Sequence, residues 1–195
     1  KLSSRLWIML AGWDQSLLAE WLKKGPEIDA DHDFLTIRAI KLVADGALGS
    51  RGAWLLKPYS DRPDWSGSAS IPMETVLTVA KEALQAGFQL CVHAIGDRAN
   101  REVLDQFETA FHGQHSDARF RIEHAQHLSA QDIPRFAQLG VIASMQGIHL
   151  SSDRPWAIDR LGIERIEEGT YVWRKLLDSG AIIINGTDVP VEPVN

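Results

Sequence analysis

The chain has 195 residues, 45% of them hydrophobic and 24% charged, which is ordinary for a globular domain and long enough to bury a sizeable core. A formal charge of −6 supplies no basic footprint for nucleic acid. No apolar run approaches the ~20 residues needed to span a bilayer, so a soluble protein is expected, with neither nucleic acid nor membrane as a partner; its location is taken as cytoplasmic.

Leu6 to Leu10 reads as a strand. Asp14 caps the helix that follows, with Leu17, Leu18, Trp21 and Leu22 on one face and Gly25 as its stop. The acidic stretch Glu27 to Asp33 reads as a loop, and His32 between two aspartates there as a solvated turn rather than a metal ligand. Phe34 to Ala44 is nearly all apolar, as expected of a strand covered on both faces. From Asp45 to Ile71 glycines and prolines erase any periodicity, and structureless loops of that length are often functional.

Pro72 opens a helix carrying Val76, Val79, Ala80, Ala83 and Leu84, ended by Gly87. The run Phe88 to Val92 is a strand closing on His93. Cys91 within it is alone in the chain, so it makes no internal disulfide and reads as a small core hydrophobe. Ala99, Val103, Phe107 and Ala110 mark the next helix, and Arg119 to His124 the next strand. Ser129 and Asp132 resemble a capping box for a helix that ends at Gly140. Val141 to Met145 is a strand, and the segment with His149, Asp153, Arg154 and Trp156 a loop. Val172, Trp173, Leu176 and Leu177 form the last helix face, and Ala181 to Asn185 the last strand.

Strand and helix thus alternate through six strands, the pattern of a parallel α/β sheet. Lys41, His93, His124 and Asp188 all fall at or just beyond the carboxyl end of such a strand, where side chains point into the functional crevice. His93 and His124 lie one βα unit apart, at the usual ~30 residues. A common active edge over consecutive units suits a (β/α)8 TIM barrel, and six strands make it incomplete, since a whole barrel takes ~250 residues.

Lys41 in an apolar strand is costly to bury as an ammonium. It is either paired with Asp45 or Asp97, or carboxylated to a carbamate whose oxygens bind metal. His93 and His124 offer imidazole nitrogens and Asp188 a carboxylate, a donor set suited to zinc and some other divalent ions. Glu123 is a candidate partner for fixing an imidazole tautomer. Trp54, Tyr59, Trp65 and Trp156 are either an aromatic pocket wall or packing lids. Arg51 either orients a substrate carbonyl or carboxylate, or pairs with Asp45 or Asp97.

Four pieces carry a family resemblance: Ile40-Lys41-Leu42-Val43-Ala44-Asp45-Gly46, His93-Ala94-Ile95-Gly96-Asp97-Arg98-Ala99, Arg121-Ile122-Glu123-His124-Ala125-Gln126 and Gly186-Thr187-Asp188-Val189-Pro190. Over nearly the whole chain the sequence resembles the amidohydrolase superfamily, in its YtcJ-like, type-three metal-dependent hydrolase branch. The resemblance implies a TIM barrel of metal-dependent hydrolase type. Lys41 would end strand four, His93 strand five, His124 strand six and Asp188 strand eight. Gln146 and His149 follow strand seven in a motif of the family, with Gly147 where a proline is more usual.

The resemblance also implies a His-x-His pair on strand one, which this sequence lacks; His112 and His115 are wider apart and sit in a polar loop. Residues 1–195 are therefore expected to be a partial barrel, about strands three to eight, without the first strands or the flanking β-sandwich. The bare edges are expected to be covered by another copy of the chain or by further protein.

The implied activity is hydrolysis of a non-peptide carbon–nitrogen bond in a small amide-like molecule. A divalent metal, zinc for preference, one or two ions in all, would be held by Lys41, His93, His124 and Asp188. Asp188 would move the proton, and Arg51, Trp54, Gln146 and His149 would bind substrate. A deaminase or ester hydrolase would use the same ligands, and a barrel kept only as a binding or regulatory module is the non-enzymatic alternative. The short chain alone is expected to be inactive.

Overall fold

The computed structural model describes residues 2–193. Seven strands form one sheet in the order β1-β3-β4-β5-β6-β7, with β2 paired to β3 off that path. These are β1 (Leu6–Ala11), β2 (Glu27–Asp29), β3 (Leu35–Val43), β4 (Gln89–Ala94), β5 (Arg121–His124), β6 (Ile142–Met145) and β7 (Ile183–Asn185). Every pair along the path is parallel.

The helices between them follow from capping and periodicity. α1 (Gln15–Lys24) starts where the Asp14 carboxylate accepts the backbone N–H groups of Ser16 and Leu17. In α3 (Met73–Ala86) Val76, Val79, Ala80 and Ala83 are buried, a stripe at helical spacing. Gly87 ends it at φ 79°, a conformation that costs glycine little. In α4 (Asp97–Ala110) the buried stripe is Ala99, Val103, Phe107 and Ala110. α5 (Ile133–Leu139) and α9 (Trp173–Asp178) complete the layer.

Strand register sorts the side chains into two faces. Lys41 lies beside Cys91, Cys91 beside Arg121, and His93 beside Glu123. Alternation then places Ile40, Leu42, Leu90, Val92, Ala94 and Ile122 on the opposite face. That second set joins the stripes of α3 and α4 in one buried cluster, with the Phe107 and Phe120 rings edge-on at 5.1 Å. The apolar core therefore lies between sheet and helices, and the chemistry-bearing residues share the inner face. This is the architecture of a partial TIM barrel.

Three segments differ from the sequence reading. The acidic loop contains β2, which pairs antiparallel with β3 through Glu27 and Ile37, followed by α2 (Ala30–Asp33), a turn with Asp31, His32 and Asp33 all at positive φ. The segment after β6 is not a loop: it winds into α6 (His149–Ser152), α7 (Arg154–Leu161) and α8 (Ile163–Gly169). Ser129 and Asp132 form a turn rather than a capping box. The Asp132 carboxylate makes no cap and instead pairs with Arg101 and Arg135 at 2.9 and 3.0 Å.

The segment from Asp45 to Ile71 has no helix or strand, as expected, yet it is tightly held. Leu48, Ala53, Leu55 and Tyr59 bury themselves with Ile95 and Leu161 in a separate small core. Its backbone is clamped to the start of α4, where Arg98 and Ala99 donate to the Trp54 carbonyl and Leu56 donates to Asp97. Gly96 allows that approach, because a Cβ there would stand 2.0 Å from the Trp54 oxygen. Among the described residues no helix is long and apolar enough to cross a membrane.

Candidate metal and active site

A cavity of about 450 Å³ opens at the carboxyl ends of the strands and is lined by Lys41, His93, His124 and Asp188 together with His149, Gln126, Asp153 and Trp156. An adjoining hollow of about 400 Å³ shares Lys41, His124 and Asp188 and adds Glu123 and Gln146. A larger cavity of about 500 Å³ lies among α6, α7 and α8 and touches none of the four.

His93 projects from β4 onto the inner face. Asp45 stands behind it, its Oδ1 3.4 Å from Nε2 of the ring. This carboxylate is fully buried and also accepts the N–H groups of Ile95, Gly96 and Trp54 at 2.8–3.0 Å. It thereby fixes the turn after His93, while the buried Nε2 makes no hydrogen bond.

His124 has the parity of Ile122 and would face the helices if β5 simply continued. Positive φ angles at His124 (75°) and Ala125 (41°) swing the ring back inward, at a cost of about 1–3 kcal/mol per such residue. It meets His93 edge-on, with ring centroids 4.5 Å apart. Its Nδ1 is 2.8 Å from Gln146 Oε1, so Nδ1 carries the proton and Nε2 is left as the free nitrogen. Burial, and then the neighbouring His93, holds the His124 pKa well below the ordinary histidine range. His124 therefore has one nitrogen oriented and one available, as in metal-binding histidines, while His93 lies beside it with the Asp45 carboxylate near its Nε2.

Lys41 faces the same space from β3. Burial pulls its amine pKa down, against opposing attraction from Glu123 and Asp188. Neither expected salt bridge forms: Asp45 is spent on backbone and His93, and Asp97 on the N–H groups of Leu56 and Arg98. Glu123 does not set a histidine tautomer either, because Arg121 holds it at 2.7 Å in a nearly buried pair. Cys91 is fully buried, and burial pushes its thiol up to about 12, as suits a core residue.

The remaining sequence candidates divide. Gln146 orients His124, and His149 stacks near it with centroids 6.2 Å apart, both on the cavity side. Arg51 is placed elsewhere: its guanidinium forks onto Asp61 at 2.7 and 3.0 Å, a partner other than the two foreseen. Trp54 packs against the main core beneath Arg98, whose charge lies 4.6 Å from the ring. Of the loop aromatics, Trp156 lines the cavity and Tyr59 is buried in the small core.

Sequence reasoning left out Gln126, Asp153 and Tyr171 as site residues. Gln126 Nε2 and the Tyr171 hydroxyl both donate to Asp153 Oδ2, at 2.6 and 2.7 Å. Only Gln126, two residues past His124 within a motif, carried a signal that could have been followed.

Among the described residues no three His, Cys, Asp or Glu side chains are gathered closely enough to hold an ion by themselves. The donor set that fits a divalent metal includes Lys41, with two imidazoles and the Asp188 carboxylate around one cavity.

A partial (β/α) barrel with oriented histidines at its carboxyl edge defines a class, that of metal-dependent hydrolase barrels. The chain belongs to the amidohydrolase family, whose description matches residues 2–195. It is 37% identical over 182 residues to the protein LONG AFTER FAR-RED 3 of Arabidopsis thaliana, covering 92% of this chain and 29% of that protein. To the putative amidohydrolase YtcJ of Bacillus subtilis it is 36% identical over 162 residues, covering 83% of this chain and 30% of that one. A crystal structure of a metal-dependent hydrolase from Pyrococcus horikoshii superimposes with a TM-score of 0.86 at 33% identity, over 99% of this chain and 37% of the other. One from Pyrococcus furiosus gives 0.84 at 32% identity, over 98% and 38%. The chain thus spans less than a third of the length of the two named relatives.

Proposed function

We propose that the protein carrying this chain is a metal-dependent hydrolase of a carbon–nitrogen bond in a small, amide-like molecule. The observation that carries this reading is the pairing of His93 and His124, 4.5 Å apart, each with its rear nitrogen facing Asp45 or Gln146. A polar partner behind a site imidazole is the arrangement common among metal-ligating histidines.

His93, His124, Lys41 and Asp188 would hold one or two divalent ions, zinc being best suited to imidazole with carboxylate-type oxygens. Lys41 would serve as its carbamate, since carboxylation needs a neutral amine and burial pulls its pKa in that direction. A bound divalent ion supplies polarisation of the substrate carbonyl and an activated water near neutral pH. Asp188 takes up the proton released by the attacking water and returns it to the leaving nitrogen, so that the amine departs neutral. Gln146 holds the His124 ring in place throughout, and Asp45 lies behind His93.

The test is hydrolysis of matched amide, ester and amidine panels by the intact protein, before and after chelation. Turnover of amides, lost on chelation and restored by zinc, is the expected result. Turnover of the esters or amidines alone would reassign the bond, and amide turnover that survives complete metal removal would overturn the reading.

A further inference from the structure

Asp153 sits at the junction of α6 and α7, in the N-cap position of α7, where an aspartate ordinarily turns its carboxylate onto the helix N–H groups. Here it makes no such bond. The side chain instead points across to Gln126 and Tyr171, and both donate to the same oxygen, Oδ2, while standing 3.2 Å from each other. Gln126 is buried and Tyr171 partly so, which gives the carboxylate a rigid mounting. Among the described residues Oδ1 accepts no hydrogen bond. The carboxylate borders the cavity that holds Lys41, His93, His124 and Asp188.

The charge of this group is poorly met. Burial pushes the Asp153 pKa up, and the Tyr171 and Gln126 donors and nearby His149 only partly oppose it. Tyr171 and Gln126 are neutral, so they fix direction without supplying counter-charge. Among the described residues no Lys, Arg or His nitrogen lies within ion-pair distance of it. Glu192 on the same wall adds repulsion. A carboxylate oriented on one oxygen, open on the other and short of a cation is complementary to a ligand that brings both charge and N–H donors.

Resting on the hydrolase reading above, we propose that Asp153 determines specificity by binding an ammonium group of the substrate through Oδ1. The substrate class is then an amide-like compound with a protonated amine on the part of the molecule held between Trp156 and the catalytic groups. Substrates with a carboxylate at that position would be repelled by Asp153 and Glu192. The sequence placed Asp153 in a loop without a role, because its partners come from segments 27 and 18 residues away.

The test is direct binding to the intact protein, measured by calorimetry at pH 7 with n-hexylammonium, 1-hexanol and hexanoate as probes. The ammonium is expected to bind at least tenfold tighter than the alcohol, and hexanoate weakest. In Asp153→Asn, which retains an oxygen for Gln126 and Tyr171, the ammonium and the alcohol should bind within twofold of each other. Equal affinities in the unaltered protein would overturn the proposal, and so would a preference that survives Asp153→Asn. Should that variant fold poorly, Tyr171→Phe keeps the charge and must keep a preference for the ammonium. The measurement needs no turnover, so it can fail while amide hydrolysis holds, or hold while hydrolysis fails.

Discussion

Asp45 stands 3.4 Å from His93 while its two carboxylate oxygens also receive three backbone N–H groups, from Ile95, Gly96 and Trp54. One side chain thus ties the ends of β3 and β4 to the long loop and places a negative charge behind a site histidine. Asp45→Ala would strand those three buried donors, each at about 1–3 kcal/mol. The expected loss is about 3 kcal/mol or more, read as a lower urea midpoint. Asp45→Asn keeps an acceptor but loses the charge, so it should cost less stability while still lowering metal affinity by roughly 10–100-fold.

Gly96 makes a sharper steric case. Its φ is an ordinary −72°, so only the space at its Cα is special. A methyl there meets the Trp54 carbonyl oxygen at 2.0 Å and its carbon at 2.5 Å, both backbone. Gly96→Ala must therefore push the long loop off α4 and break the Arg98, Ala99 and Leu56 hydrogen bonds. A loss of about 3 kcal/mol is expected. Gly186→Ala is the control, with nothing within 4 Å of the added carbon, and should change stability by no more than about 0.5 kcal/mol. Thermal unfolding of the two variants side by side checks both.

His127 gives the fold an acid limb. It is buried, with Nδ1 2.8 Å from the Thr170 hydroxyl and Nε2 3.5 Å from Asp97. Burial lowers its pKa despite the attraction of Asp97. The unfolded chain therefore takes up the proton first. The contribution is complete above an unfolded histidine pKa of about 6.5 and is lost as pH falls through the lower folded value. His127→Gln should be less stable at pH 7.5 by about 1 kcal/mol for the altered Thr170 bond, yet lose less on going to pH 5. Denaturation curves at the two pH values test the crossing, and parallel losses would assign the acid sensitivity to other groups.

Much of this architecture was written in local pattern. The β3 and β4 strands are apolar runs with a polar residue near the end, and α3 and α4 carry clear helical stripes. β2 escaped because Glu27, Ile28 and Asp29 are three residues with no alternation to read. α6, α7 and α8 escaped because each is short, with Pro155 and Gly162 interrupting the period and little of each buried. In the site, Lys41, His93 and His124 were visible as strand-end polar residues. The inward swing of His124 was not, since it depends on a positive φ that alternation would never assign to histidine. Arg51 was misplaced for a related reason: its partner Asp61 lies within the same aperiodic loop, where spacing carries no information.

Lys41 and Asp188 border the same cavity but are expected to fail differently when altered. Carbamate formation needs a neutral amine, and metal holds the carbamate in place, so occupancy and modification should rise and fall together. Lys41→Ala in the intact protein should lose bound metal and amide turnover in step. A short carboxylic acid such as acetate should restore part of both by returning the missing oxygens to the space that the side chain vacates. Asp188→Asn leaves both imidazoles and Lys41 in place, so it should retain more metal than Lys41→Ala while losing turnover by about 10²–10⁴-fold, the usual worth of a positioned proton-transfer group. No carboxylic acid should rescue it, because the asparagine still fills the site. Metal analysis and kinetics on the two variants, with and without acetate, separate the roles. Rescue of Asp188→Asn, or full metal retention in Lys41→Ala, would mean that the two residues have been assigned the wrong tasks.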